Sequence, residues 1–275
     1  MRIKRFWGLI SVLLMCAAQH INAAKVDTVM IRSNAMGKDV QTVIVTPQKA
    51  TGRKAAACPV IYLLHGYSGG AKDYVSGVPE LVRMADEYGV FFVCPDGENN
   101  WYWDSSAEKK ILYETFTAKE LVNYVDANYL TIPSAQNRAI TGLSMGGQGA
   151  LFLAFRHPDI FGAAGSMSGC MDICAFPDNW EISKLLGDFD KNNNVWNEYS
   201  LMNQVKRIKN GQLKIIFDCG KDDFFYDINC KFHQKLDTLG IEHDFILRPG
   251  IHDWNYWRNA IKYQVLFFSE CFKLH

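Results

Sequence analysis

The sequence predicts an α/β protein: one mostly parallel sheet with helices on both faces. Three observations carry this. Short apolar runs such as "PVIYLLHG", "VFFVCPDG" and "LKIIFDCG" stop at glycine, as strands buried on both faces do. Segments such as "ETFTAKELVNYVDANY" place apolar residues at helical spacing. The two kinds alternate along the chain, which is the order of βαβ units.

The elements follow in sequence. "VDTVMIRS" and "DVQTVIVTP" read as two strands joined at "NAMGK", a hairpin-like turn. "PVIYLLHG" is the third strand, and "VPELVRMADEYG" a helix closed by Gly89. "VFFVCPDG" is the fourth strand, followed by the helix in "ETFTAKELVNYVDANY". Strand "RAITGLS", helix "GGQGALFLAFRHP" and strand "AAGSMSG" come next. An irregular stretch with a helix in "SLMNQVKRIK" precedes strand "LKIIFDCG" and helix "INCKFHQKLDTLG". Strand "HDFILRPG" and the long helix "DWNYWRNAIKYQVLFFSECF" end the chain. No internal linker or repeat divides it, and 275 residues suffice for one such domain.

The N-terminus reads differently. "MRIKR" is a basic start, "FWGLISVLLMCAA" an apolar run too short to span a bilayer comfortably, and "INAA" offers small residues for cleavage near Ala23 or Ala24. Residues 1–23 therefore read as a signal peptide and 24–275 as the mature domain, exported to the periplasm or the medium and without stable membrane insertion. Cys16 is no lipoprotein site, because Met15 before it is not small. The 29 basic and 29 acidic residues balance, and no basic stripe suggests nucleic acid. Of eight cysteines, Cys16 leaves with the signal. Export permits disulfides, with Cys170/Cys174 and Cys219/Cys230 as candidates, against an alternative of small buried thiols. No CxxC pair or HxxxH spacing suggests zinc, and no cofactor is implied. "DFDKNNNVWNEY" resembles a calcium loop but has Asn193 for the sixth-position glycine and Tyr199 for the twelfth-position glutamate, so it reads as a polar surface loop.

Gly142-Leu-Ser144-Met-Gly146 matches G-x-S-x-G between a strand and a helix, the nucleophile turn of the α/β-hydrolase fold. A serine there needs a base and an orienting carboxylate, in the order Ser, acid, His. Of the later histidines, His157 ends the helix after the serine and points away. His233 lies on a helix, His243 enters a strand, and His275 is terminal. His252 alone sits in a loop directly after a strand, where the base must hang. The acid follows the preceding strand. Asp218 is inside that strand, and spacing does not separate Asp222 from Asp223. Two backbone N–H groups should hold the oxyanion: Met145, after the nucleophile, and Tyr67 in "HGYSGG", where His65 holds the loop.

"LLHGYSGG", "ITGLSMGGQGAL", "FDCGKDDFFY" and "PGIHDWNYW" together resemble the esterase D / antigen 85-like branch of the α/β hydrolases, from about Val60 to Phe268. That branch includes carboxylesterases, feruloyl and acetyl-xylan esterases, S-formylglutathione hydrolases and mycolyltransferases. Its acid is the last residue of a G-x-x-D element, so the resemblance selects Asp223. It implies a serine carboxylesterase acting on small or carbohydrate-linked esters, with an acyltransferase or an S-formylglutathione hydrolase-like thioesterase as alternatives. The "HDWNYW" form is similar to bacterial exported esterases and counts against the S-formylglutathione substrate. Trp101 and Trp103, in "NNWYWDSS", and Trp254 stand beside strand ends as candidate pocket walls. The stretch best placed as a lid, Asp172 to Asn210, is polar, so short or aromatic acyl groups are expected over long lipids.

Overall fold

The computed structural model describes residues 23–274. All but the last residue of the expected signal peptide lies outside them. Among the described residues no helix is long and apolar enough to cross a membrane.

Eight strands form one sheet: β1 (Lys25–Ser33), β2 (Lys38–Thr46), β3 (Val60–Leu64), β4 (Phe91–Pro95), β5 (Arg138–Gly142), β6 (Ala163–Met167), β7 (Lys214–Gly220) and β8 (Asp244–Arg248). Their order is β1-β2-β4-β3-β5-β6-β7-β8, antiparallel at β1/β2 and β2/β4 and parallel from β4 to β8. This is the α/β-hydrolase fold.

Alternation along the strands sorts the core into two layers. Val60, Tyr62 and Leu64 face one side, with Phe152, Leu121 and Phe232 from the covering helices. Ile61 and Leu63 face the other, with Leu81, Trp257, Ile261 and Val265. The central strands are apolar on both faces because both faces are covered. β1, at the edge, leaves Val26 and Met30 exposed.

The helix Leu81–Tyr88 ends at Gly89 in the left-handed region, φ 60°, as its sequence expects. The helix expected over "ETFTAKELVNYVDANY" forms, but Phe116–Leu121 widens into π geometry, which its apolar spacing does not announce. In "SLMNQVKRIK" only Leu201–Gln204 is α-helical, followed by a 3-10 turn. The calcium-like stretch contains the helix Asn193–Tyr199, and Trp196 turns into the core.

The candidate disulfides do not form. All seven described cysteines are free, and Cys58, Cys94, Cys170 and Cys219 are buried as small apolar side chains. Burial pushes the Cys174 thiol up to about 11, which keeps it protonated at neutral pH.

Candidate active site

The strand order reverses between β3 and β5, with β4 outside one and β6 outside the other. A crevice opens at the carboxyl ends of strands at such a point. β5 runs out at Gly142, and Ser144 turns the chain at φ 54° and ψ −118° into the helix Met145–Arg156. A serine at positive φ is strained. Hydrogen bonds hold it there: Ser144 N–H donates to Met167 O at 2.9 Å and Gly146 N–H to Leu143 O at 2.8 Å. The flanking glycines answer to close approach. A Cβ on Gly146 would strike the carbonyl oxygens of Leu64 and His65, and one on Gly142 would strike the Gly146 backbone. The turn is thus pressed against the end of β3, and the serine hydroxyl stands above the sheet.

The loop after β8 delivers His252. Its Nε2 accepts a hydrogen bond from Ser144 Oγ at 2.9 Å. Its Nδ1–H donates to Asp223, whose carboxylate oxygens lie at 2.9 and 3.0 Å. The Asp223 side chain is fully buried and also accepts from Phe225 N–H at 2.8 Å. Asp222 is exposed, and its N–H donates to Gly250 O at 3.0 Å, tying the acid loop to the histidine loop. The structure therefore separates the two neighbouring aspartates, which spacing does not. Asp218 stays inside β7, where it accepts from Gln264 Nε2 at 2.8 Å and Arg248 Nη2 at 3.3 Å. Burial pushes its carboxyl up to about 6, against the pull of Arg248 and Gln264.

The loop after β3 crosses over the serine, close enough that a Cβ on Gly66 would lie 3.3 Å from Ser144 Cβ. Neither Tyr67 N–H nor Met145 N–H has an intramolecular acceptor among the described residues. His65 is buried and holds the loop: Gly97 N–H donates to its Nε2 at 2.8 Å, and its Nδ1–H donates to Gly66 O at 2.8 Å.

A cleft of about 310 Å³ opens onto Ser144 and His252. Trp180, Phe224, Trp254 and Trp257 form aromatic walls, and Asp73 and Ser68 are polar points on its lining. Phe224 packs on His252, ring centres 4.3 Å apart, and Trp257 meets that imidazole edge-on at 4.9 Å. The placement of Trp254 at the cleft agrees with the sequence reading. That of Trp101 and Trp103 corrects it. Both are buried, at 1% and 0% exposure, and neither lines the cleft. They stack on each other, and Trp103 Nε1–H donates to Gln148 Oε1 on the helix that follows the serine. The loop folds inward because the gap left by Gly97 and Gly149 admits the Tyr102 ring between them.

Trp180, Phe224 and Trp257 are the wall residues that sequence reasoning missed. Phe224 and Trp257 had a signal in their nearness to Asp223 and His252. Trp180 lies in the segment read as polar, where Ile182, Leu186 and Trp196 also pack into the core.

The family model described as "Putative esterase" matches residues 33–268. The chain belongs to this esterase family. Within it, the chain falls in the antigen 85/esterase D-like group. An acetyl esterase of Caldicellulosiruptor saccharolyticus is 28% identical over 219 residues, covering 73% of this chain and 79% of its own. The diacylglycerol acyltransferase/mycolyltransferase Ag85A of Mycobacterium bovis is 27% identical over 281 residues, covering 86% of this chain and 79% of its own. A solved ferulic acid esterase superposes with a TM-score of 0.79 at 28% identity, over 91% of this chain and 99% of its own. Family membership carries an esterase or acyl-transfer role.

Proposed function

We propose that this esterase-family protein is a serine carboxylic-ester hydrolase that works through an acyl-enzyme. The reading rests above all on one observation: the unbroken hydrogen-bonded line from Ser144 Oγ through His252 to Asp223, opening onto the aromatic cleft. Ser144 Oγ attacks the ester carbonyl while His252 Nε2 takes its proton. His252 then passes that proton to the departing alcohol. Asp223 keeps the proton on Nδ1 and stabilises the imidazolium that forms. The N–H groups of Tyr67 and Met145 receive the oxyanion, at the positive end of the helix Met145–Arg156. A water activated by His252 then releases the acid and restores the serine.

The proposed substrates are esters of short or aromatic acyl groups, those linked to carbohydrates included. The aromatic side chains around a small cleft suit flat phenolic rings and sugar faces. The solved ferulic acid esterase and the acetyl esterase relative point the same way. The measurement is kcat/KM for p-nitrophenyl esters of rising chain length, beside methyl ferulate and acetylated xylan. A maximum at short chains or at ferulate is expected, and a maximum at long chains would overturn the substrate class.

The Ag85A relative favours one second reading, in which a sugar alcohol replaces water at the acyl-enzyme. Product analysis with an added acceptor alcohol separates the two. Export is part of the same proposal, with a mature N-terminus near Ala24 or Lys25. N-terminal sequencing of the natural protein checks it, and a soluble cytoplasmic form beginning at Met1 would refute it.

A further inference from the structure

Away from the cleft, two histidines and an aspartate meet where the helix Tyr226–Thr238 passes the start of β8. His233 and Asp237 are four residues apart on that helix and so share one face. His243 immediately precedes β8. His233 Nδ1 lies 2.7 Å from His243 Nε2, His233 Nε2 lies 3.4 Å from Asp237 Oδ2, and His243 Nε2 lies 4.0 Å from Asp237 Oδ1.

The hydrogen bond behind His243 decides what it presents. Its Nδ1 lies 2.7 Å from Ile241 O, and a carbonyl only accepts, so Nδ1 carries the proton. In the neutral ring Nε2 is then a bare lone pair, directed at His233. A ring N–H fixed on a backbone carbonyl is the arrangement that orients metal-binding imidazoles. Both rings are also held from behind, His243 stacked on Phe217 and His233 packed at a tilt against Phe245.

We propose that His233, His243 and Asp237 bind one divalent transition-metal ion of the zinc class. Two imidazoles and one carboxylate are zinc ligands, and the imidazoles disfavour calcium and magnesium, which take oxygen. Tetrahedral zinc holds neighbouring nitrogens about 3.3 Å apart, from Zn–N bonds of about 2.0–2.1 Å. His233 offers the ion its Nδ1, with the ring proton moved to Nε2. A small rotation of this partly exposed ring and of the exposed Asp237 opens the 2.7 Å pair to that spacing, one ligand atom from each residue lying within 4.8 Å of the others. Solvent reaches the group from the Asp237 side, which leaves the fourth position to water. A search for HxxxH spacing misses the group because its helical partner is aspartate. The bound ion would pin the helix that follows Asp223 to the strand that precedes His252. The five residues of β8 span about 17 Å, so the ion sits at the opposite edge of the sheet from the cleft and does not enter the ester chemistry.

The test is a calorimetric titration of the purified, untagged, EDTA-stripped protein with zinc sulfate. One equivalent with micromolar or tighter affinity is expected, together with a higher Tm in zinc. His233→Ala and Asp237→Asn should each weaken binding about tenfold or more. Both should keep the metal-free Tm within a few degrees and leave ester hydrolysis unchanged. Both sites are exposed enough for these variants to fold, whereas His243→Ala would remove a buried, stacked ring. Cobalt substituted for zinc should give a visible spectrum without a thiolate charge-transfer band. Absence of stoichiometric binding, binding undiminished in both variants, or a thiolate band would each overturn the site.

Discussion

Two aromatic loops leave the same edge of the sheet, and they do opposite things. The loop after β4 carries Trp101, Tyr102 and Trp103 and turns them into the core, with Trp101 and Tyr102 at φ 55° and 60°. The loop after β8 and the start of the helix Trp254–Cys271 bring His252, Trp254 and Trp257 to the cleft, where Trp257 also packs on the core beneath. Their supports also differ. The β4 loop rests on aromatic packing, with Trp103 tilted against Phe152 and edge-on to Tyr199. The β8 loop stands above a buried polar group of Asp218, Arg248 and Gln264. An aromatic side chain beside a strand end is therefore a brace or a contact surface according to what lies beneath it.

The sharpest way to break this comparison is to remove the chemistry from the cleft side. Ser144→Ala and His252→Ala should each lower kcat by about 10⁴- to 10⁶-fold, and Asp223→Asn by about 10⁴-fold, with little change in Tm. Combining two should add little to the worst single change. Asp222→Asn is the control and should stay near wild type in steady-state kinetics. Substantial activity in Ser144→Ala would end the hydrolase reading.

Next in size is the brace. Trp103→Ala should cost about 3–5 kcal/mol of stability, the usual range for a buried tryptophan, which lowers Tm on the order of 10 °C in a domain of this size. The remaining activity should fall with the folded fraction, not through KM. A stable variant with a raised KM would move Trp103 back to the pocket.

The polar support of the β8 loop makes a pH prediction. The Asp218 carboxyl, at about 6, lies above its ordinary 3.8, so the folded state holds that proton more tightly than the unfolded chain. Its contribution is fully present below about pH 4 and is lost as pH rises through about 6. Relative to Asp218→Asn, the wild type should lose up to about 3 kcal/mol across that window, whatever the constant offset between them. Urea melts at pH 4, 5, 6 and 7 measure it, and parallel curves would contradict it.

The smallest effect tests the wall. Trp254→Ala should cut the ratio of kcat/KM for methyl ferulate over an acetyl ester by up to about tenfold, the worth of one aromatic contact. Trp101→Ala should leave that ratio unchanged. A ratio is insensitive to the folded fraction, so packing losses do not imitate the result.

The eight strands were legible, the central β3 and β4 because a strand covered on both faces reads as a continuous apolar run, and β1 and β2 as the two arms of a hairpin. Ser144 was legible because its turn needs glycine two positions before and after it, and His252 because one histidine alone follows a strand end. The π segment at Phe116–Leu121 was not legible, since widening a helix by one residue per turn leaves the apolar spacing nearly intact.

The sequence by itself determined the order of elements, the serine turn and the pairing of that turn with a distant histidine, because these rest on local backbone sterics and on periodicity. Spacing left the two adjacent aspartates open, the family resemblance selected Asp223, and the structure shows the reason. Only the tertiary structure decided which tryptophans line the cleft and that His233, Asp237 and His243 meet. Those are questions of side-chain direction across elements far apart in the chain. Asp222 and Asp223 have the same chemistry and nearly the same address. One turn of backbone leaves the first in water and buries the second against the imidazole.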